Sequence, residues 1–416
     1  MIARQFKRIF SNPFIHNVGW LGAAEVANRV FRLGTTVILA RMFSTQDYGL
    51  MAEIYIIHEF SSVLTLRGGI GAKIIQADKT DLEVICHTAY WLNWLLCGTV
   101  FLLQCGVAWG LAYFYDDVQL GLQICTVGLI YLMFPTYLVQ AALIERDNRL
   151  KINAACTALQ ALVSNIILMG GAIAGFGAWS VVWAMVLGTP VWIVISLWQQ
   201  PWQPPCQFKL QRWREVIQFS KNLLGIELLG KIRNNSDYFL VGKFLGIDVL
   251  GLYYFAYNAG SGFTSAVVSQ FMLPLFPYIC AVRDNPTAFR QRYWGSFRMI
   301  ALTLIPLILL QTLLAPVYVP IVFGQRWIPA IPILILICVS ILPDTLAWSS
   351  TLLLNAMDKS QLSLYFELAF TVIFVIAVLF SVQFGTLSVA ITVLTCHLLM
   401  QPLFAIYAHR YAFRHQ

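Results

Sequence analysis

Long apolar runs recur along the whole chain, and no other feature limits its possible folds so strongly. Leu95–Leu103, Ala161–Ile173, Ile300–Leu310 and Thr371–Phe380 are four of them. A helix needs roughly 20 such residues to cross a hydrocarbon layer about 30 Å thick. With 59% hydrophobic and 11% charged residues, the chain falls well short of the charge, about 25%, that covers an ordinary soluble domain. It reads as an all-α integral membrane protein with about twelve membrane-spanning helices.

The spans are expected near 18–40, 48–66, 84–112, 120–142, 153–174, 178–198, 217–241, 249–273, 296–314, 330–354, 361–382 and 386–408. The distribution of Lys and Arg tests this map. With the N-terminus inside, 19 of the 27 lie in cytoplasmic segments, and only Arg41, Lys243 and Arg326 lie outside. Such asymmetry is the usual signature of membrane orientation, and it places both termini in the cytoplasm. The net charge of +8 is spread over short loops, so it points to topology and not to nucleic acid.

Residues 1–17 alternate Arg4, Lys7 and Arg8 with Phe6, Ile9, Phe10 and Phe14, as in an interfacial amphipathic segment. A cleavable signal is not expected, because Glu25, Arg29 and Arg32 interrupt the apolar run that follows. The nine cysteines have no CxxC spacing and fall mostly in apolar segments, so they read as small core residues and not as a metal site or disulfide framework.

The proline-rich stretch 199–216 divides the chain into an N-terminal six-helix lobe (18–198) and a C-terminal one (217–409), followed by a cytoplasmic tail (410–416). At an offset of 202, Glu25 matches Glu227, Arg29 matches Lys231, Arg41 matches Lys243, Gly49-Leu50 matches Gly251-Leu252 and Tyr55 matches Tyr257; Asp47 and Asp248 miss the register by one. Six helices per half is an even number, so the expected arrangement is two parallel six-helix lobes around a central cavity.

Charges inside spans are costly, roughly 2.5–3.5 kcal/mol each, and they mark functional surfaces or internal partners. Glu25, Arg29 and Arg32 share one face of the first span, and Glu227, Lys231 and Asn234 share the corresponding face of the seventh. Arg233 and Asp237 occupy a neighbouring stripe at i, i+4 and could pair with each other. The expectation is a cationic anion site built from Arg29, Arg32 and Lys231, with Arg233 beside it. The bland alternative is that each cation is neutralised by the acid four residues away and merely locks helices. Glu59, Asp344 and the polar residues Glu25, Glu227, Asn234 and Asp237 could handle a coupling ion, as could His58 and His397.

No catalytic motif is found: there is no HExxH and no GxxxxGK phosphate loop, and Gly68–Gly71 reads as a turn. External loops reach at most about 15 residues, little material for a catalytic surface. No catalytic residue, cofactor, metal or nucleic-acid partner is expected.

Several segments together resemble a known family. LARMFSTQDYGLMA (39–52), GGIGAKIIQ (68–76), IERDNRLK (144–151) and NSDYFLVGKFLGIDVLGLYYFAYNAG (235–260) are followed in order by LPLFPYICAVRDN, FGQRWIPAIPIL and LLLNAMDKS. This order is similar to that of the bacterial polysaccharide transporters, the O-antigen and exopolysaccharide flippases of the multidrug/oligosaccharidyl-lipid/polysaccharide exporter superfamily. The likeness runs from about residue 20 to 360. It implies a protein of the bacterial cytoplasmic (inner) membrane that moves undecaprenyl-diphosphate-linked oligosaccharide by alternating access. Its partners would be the lipid-linked glycan, membrane lipids, and the polysaccharide polymerase and chain-length machinery. The rivals are a cation-coupled multidrug-type antiporter, which needs an acid-dominated first helix, and a membrane glycosyltransferase or polymerase, which needs a large external loop.

Overall fold

The computed structural model describes residue 31 and residues 34–115, 117–204, 207–283 and 285–414. The interfacial segment expected over 1–17 and the larger part of the first span lie outside these residues, as do Glu25, Arg29 and Arg32. Helical residues up to Met42 are followed by α1 (Thr45–Leu64), α2 (Arg67–Gln76), α3 (Leu82–Tyr115), α4 (Val118–Arg146), α5 (Leu150–Ile173), α6 (Trp179–Gly188), α7 (Pro190–Gln199), α8 (Trp213–Leu245), α9 (Ile247–Cys280), α10 (Pro286–Tyr318), α11 (Ile331–Ala356), α12 (Ser360–Ser381) and α13 (Thr386–Arg414). A π-helical turn (Val319–Phe323) and a 3-10 turn (Gln325–Ala330) join α10 to α11.

Local sequence explains several boundaries. The Asp117 side chain accepts from the Gln119 and Leu120 amides and starts α4. Asn285 does the same for the Ala288 amide, with Pro286 opening α10. Thr189-Pro190 divides the expected sixth span into α6 and α7, where proline removes a donor and resets the helix.

Eight helical stretches among the described residues, with α6 and α7 counted together as one, are long and apolar enough to cross a membrane, nine when the bent α9 is taken as one. The multi-pass, all-helical architecture is thereby established. The helices α1 and α8, at the expected second and seventh spans, fall short of that test because they carry Asp47, Glu53 and Glu59, and Glu227, Lys231, Arg233, Asp237 and Lys243. One expectation is corrected. Gly68–Gly71 is not a turn; it is the first part of helix α2. The reason is tertiary: a Cβ at Gly69 would overlap Ser220 at the start of α8, so glycine serves close helix approach and not chain reversal.

Contacts divide the chain into two compact units. The first comprises Thr65–Ser220 with the described residues up to Met42, and the second comprises Phe43–Leu64 with Lys221 onward. The division at Ser220 lies close to the proline-rich linker, but α1 groups with the second half of the sequence.

In the first unit, α2, α3, α4 and the start of α8 enclose Ile70, Ile74, Ile85, Leu138, Val139 and Val216. Arg146 donates to the Ile74 and Ile75 carbonyls at 2.9 Å and closes the C-terminus of α2. The linker is tied down as well: Trp91 Nε1 donates to the Gln207 carbonyl at 3.0 Å, and Gln140 Nε2 to that of Trp202 at 3.3 Å.

In the second unit, α11 packs against both α9 and α13, and α1 lies along α9. The α1–α9 crossing gives the offset of 202 a physical meaning. A Cβ at Gly251 would overlap the Thr45 carbonyl, and one at Gly49 would overlap the Ile247 carbonyl. Thr45 matches Ile247, and Gly49 matches Gly251, so repeat-related residues meet reciprocally, as across a two-fold axis. Small residues at such a crossing let two backbones approach closely inside a membrane. Asp47 and Asp248, out of register by one, have different tasks. Asp47 accepts from the Ser44 amide and hydroxyl, whereas Asp248 accepts from Thr45 Oγ1 at 2.8 Å.

Candidate functional site

The polar residues of the second unit gather where α1, α8, α9, α11, α12 and α13 present charged or hydroxyl-bearing side chains to one another. Lys231 Nζ on α8 lies 3.0 Å from Glu59 Oε2 on α1. Asn235 Nδ2, one turn along α8, donates to the same Glu59 oxygen at 3.0 Å and to the Lys231 carbonyl at 3.1 Å. Arg233 pairs with Glu367 of α12, and its Nε reaches Asn234 Oδ1 at 3.4 Å. Asp237 is buried and accepts from the Tyr253 hydroxyl at 2.8 Å. The neighbouring Tyr238 packs edge-on to Tyr253, Tyr254 and Tyr257.

Two pairings of the alternative reading are not formed. Lys231 is neutralised by Glu59 from another helix, and Glu227, four residues before it, is exposed. Arg233 and Asp237 do not pair with each other, because Asp237 faces α9 while Arg233 reaches α12. Spacing at i, i+4 makes a contact possible on an isolated helix; here neighbouring helices offer each charge a better-placed partner. Both described cations of the expected anion site are therefore compensated. An uncompensated charge at this depth would cost roughly 2.5–3.5 kcal/mol, which is the reason for such pairing.

Asp344 lies midway along α11 with 58% of its side chain exposed, and His397 of α13 approaches it with Nε2 3.9 Å from Oδ1. Among the described residues this linked set has four acids, Glu59, Asp237, Asp344 and Glu367, and two permanent cations, Lys231 and Arg233. The balance is acidic, not cationic.

Sequence reasoning passed over Glu367, although an acid inside LSLYFELAF carries the same signal as the others. It also counted Arg67 among loop cations. The structure sets Arg67 over the rings of Phe134, Tyr137 and Trp192 at 4.7, 5.1 and 5.9 Å, inside the first unit. At the ends of their helices, Lys73 binds Glu215 at 2.6 Å and Arg212 binds Asp81 at 2.5 Å. Lys73, then Arg212, holds the Glu215 carboxyl below its ordinary value, and Asp81, then Glu215, raises the Arg212 guanidinium. This cluster ties the linker to the α2–α3 turn. Glu25, Arg29 and Arg32 lie outside the described residues, so the matching face of the first span is not seen.

Comparison with known proteins places this architecture. The chain is 23% identical over 375 residues to the teichuronic acid biosynthesis protein TuaB of Bacillus subtilis, covering 88% of this chain and 76% of that one. It is 24% identical over 406 residues to the lipopolysaccharide biosynthesis protein WzxC of Escherichia coli, covering 93% and 78%. The solved structure of the lipid II flippase MurJ in an inward closed conformation shares the fold, with a TM-score of 0.74 at 11% identity over 94% of this chain and 87% of that one. The family model described as polysaccharide biosynthesis protein matches residues 38–332, well over half of the sequence, and the chain belongs to that family.

Proposed function

We propose that this protein is a flippase that moves undecaprenyl-diphosphate-linked oligosaccharide across the bacterial cytoplasmic membrane by alternating access, for assembly of a surface polysaccharide. Family membership over residues 38–332 carries this reading. The names of TuaB and WzxC assign those proteins to polysaccharide synthesis, and MurJ is named for flipping lipid II. An intramembrane polar set in an otherwise apolar bundle is what passage of a hydrated headgroup requires, since charges at that depth persist only against partners or water. In this reading Arg29 and Arg32 meet the diphosphate, because the guanidinium fork matches phosphate oxygens. Lys231 and Arg233, compensated by Glu59 and Glu367, become free to meet an anionic headgroup when they exchange partners as substrate enters. Both termini lie in the cytoplasm, and the polymerase acts on the delivered lipid.

The acid surplus of this intramembrane set, Glu59, Asp237, Asp344 and Glu367 against Lys231 and Arg233, favours a second reading, a cation-coupled multidrug-type exporter. Purified protein in liposomes separates the two. A fluorescent short-chain polyprenyl-diphosphate disaccharide placed in one leaflet should become accessible from the other. Movement of a cationic dye, with no movement of the labelled lipid, would replace the flippase reading by the exporter. Arg29→Ala and Arg32→Ala should each slow lipid movement at normal protein abundance, and Arg29→Lys should restore only part of it.

A further inference from the structure

We propose that Asp344 and His397 form a proton-binding dyad that couples translocation to the proton gradient; the coupled cargo rests on the flippase reading above. His397 Nδ1 lies 2.7 Å from the Val393 carbonyl. A carbonyl oxygen only accepts, so Nδ1 carries a hydrogen and donates it. In the neutral ring that leaves Nε2 with a lone pair, and Nε2 faces the Asp344 carboxylate at 3.9 Å. Two acceptors facing each other across that gap make a site that takes up a proton: the Nε2 lone pair accepts it from water, and the imidazolium then pairs with the carboxylate. Release returns the same proton to water, with no bond to carbon and no redox change.

The surroundings define an entrance and a wall. Asp344 is 58% exposed and His397 16%, so the proton arrives over the carboxylate. On the other side the ring is flanked edge-on by Phe370 at 5.3 Å and Phe374 at 6.0 Å, both on α12. Both members lie near the middle of their helices, α11 and α13, where a permanent charge is disfavoured and a switchable one can report which side is open.

The titratable and charged groups around the dyad come from three further helices. Tyr257 of α9 is within electrostatic range of Asp344, and also of Asp237 and Arg233 on α8. Glu367 of α12, one turn before Phe370, holds Arg233. The Arg233 charge is thus spoken for, and His397 is the group placed to answer Asp344. One ring nitrogen and one carboxylate provide too few oxygens for a hard metal cation, which takes about six, so the dyad fits a proton.

The test uses the full chain in liposomes carrying an entrapped pH dye, with the short-chain polyprenyl-diphosphate disaccharide as probe. If one proton accompanies each lipid, a difference of one pH unit drives up to about tenfold accumulation of the probe in one leaflet. His397→Gln keeps a donor for Val393 but cannot take a second proton, and Asp344→Asn removes the acid. Each should bring the distribution back to even, whatever the pH difference, and abolish probe-driven pH change in the lumen. Asp344→Glu should keep accumulation. Accumulation in the wild type that follows a sodium gradient instead of pH, or pH-driven accumulation persisting in both His397→Gln and Asp344→Asn, overturns the dyad. A wild type that moves no probe defeats the flippase reading, and the dyad is then decided by infrared difference spectra of the purified protein between about pH 5 and about pH 8. An imidazole band that titrates and is missing in His397→Gln sustains it. Identical spectra for the two proteins sink it.

Discussion

The third to sixth spans and the spans of the second half handle charge in opposite ways. The four segments over 84–112, 120–142, 153–174 and 178–198 contain no Asp, Glu, Lys or Arg, whereas the charges of the six from 217 onward include Glu227, Lys231, Arg233, Asp237, Arg298, Asp344 and Glu367. In the first unit ion pairs sit at the ends of helices, as with Lys73–Glu215 and Arg212–Asp81. Besides the Arg67 guanidinium over its aromatic rings, the contacts between its spans include neutral hydrogen bonds: Gln104 Nε2 donates to the Ile124 carbonyl at 2.7 Å, and Gln160 Oε1 accepts from Trp192 at 2.7 Å. In the second unit two ion pairs, Lys231–Glu59 and Arg233–Glu367, join helices at depth. The first arrangement can hold helices together without responding to ions; the second can change partners, and only it is suited to carry coupling.

The largest effect expected from this contrast lies where α1 enters the second unit. Gly251→Leu pushes a side chain into the Thr45 carbonyl; a loss of about 3 kcal/mol should remove most folded protein from membranes, read by fluorescence-detected size exclusion. Gly110→Ala on α3, where a Cβ meets nothing within 4 Å, should leave the elution profile unchanged. Equal damage from both would erase the distinction.

Next is the charge pair of α8 and α12. Glu367→Ala leaves Arg233 without its carboxylate and should cost about 2 kcal/mol, less than a full intramembrane charge because both side chains retain some exposure. The exchange Arg233→Glu with Glu367→Arg should recover most of the thermal stability in detergent. If the exchange is as unstable as the single variant, the pair does not act as a simple tie between helices.

In the first unit, Gln104→Leu removes one neutral hydrogen bond and should cost about 1 kcal/mol. Unlike substitutions in the second unit, it should not alter the pH dependence of probe movement; a changed pH profile would show that coupling reaches into the charge-free spans.

The smallest effect belongs to the surface cluster. Glu215→Gln should leave Tm within about 1 °C of wild type at neutral pH, since exposed pairs contribute little. Because Lys73 and Arg212 lower the folded-state value of Glu215, its contribution is present above the unfolded carboxylate range and disappears as pH falls through the lowered value. The difference between wild type and variant should therefore shrink as pH falls through the carboxylate range and vanish below the lowered folded-state value.

Much of this was legible in the sequence. Hydropathy over roughly 20 residues located helices at eleven of the expected spans, the first lying outside the described residues. The offset of 202 singled out Gly49 and Gly251, which meet the partner helix reciprocally. The role of Gly69 was not legible, because a glycine that admits a neighbour and a glycine that turns the chain look alike until the neighbour is known.

The sequence by itself determined that this is a multi-pass helical membrane protein, because the transfer of a helix into hydrocarbon depends on its own residues, summed locally. It also determined which charges had to be accounted for, since any ion at that depth needs a partner or water. Which partner each one has, only the tertiary structure decided. Lys231 joins Glu59, 172 residues away, and not Glu227 on its own helix face. Arg233 crosses to Glu367 while Asp237 turns to Tyr253, and Asp344 meets His397. The physical reason is that local spacing brings two groups onto one helix face, whereas packing sets which face is buried and which foreign side chain waits there.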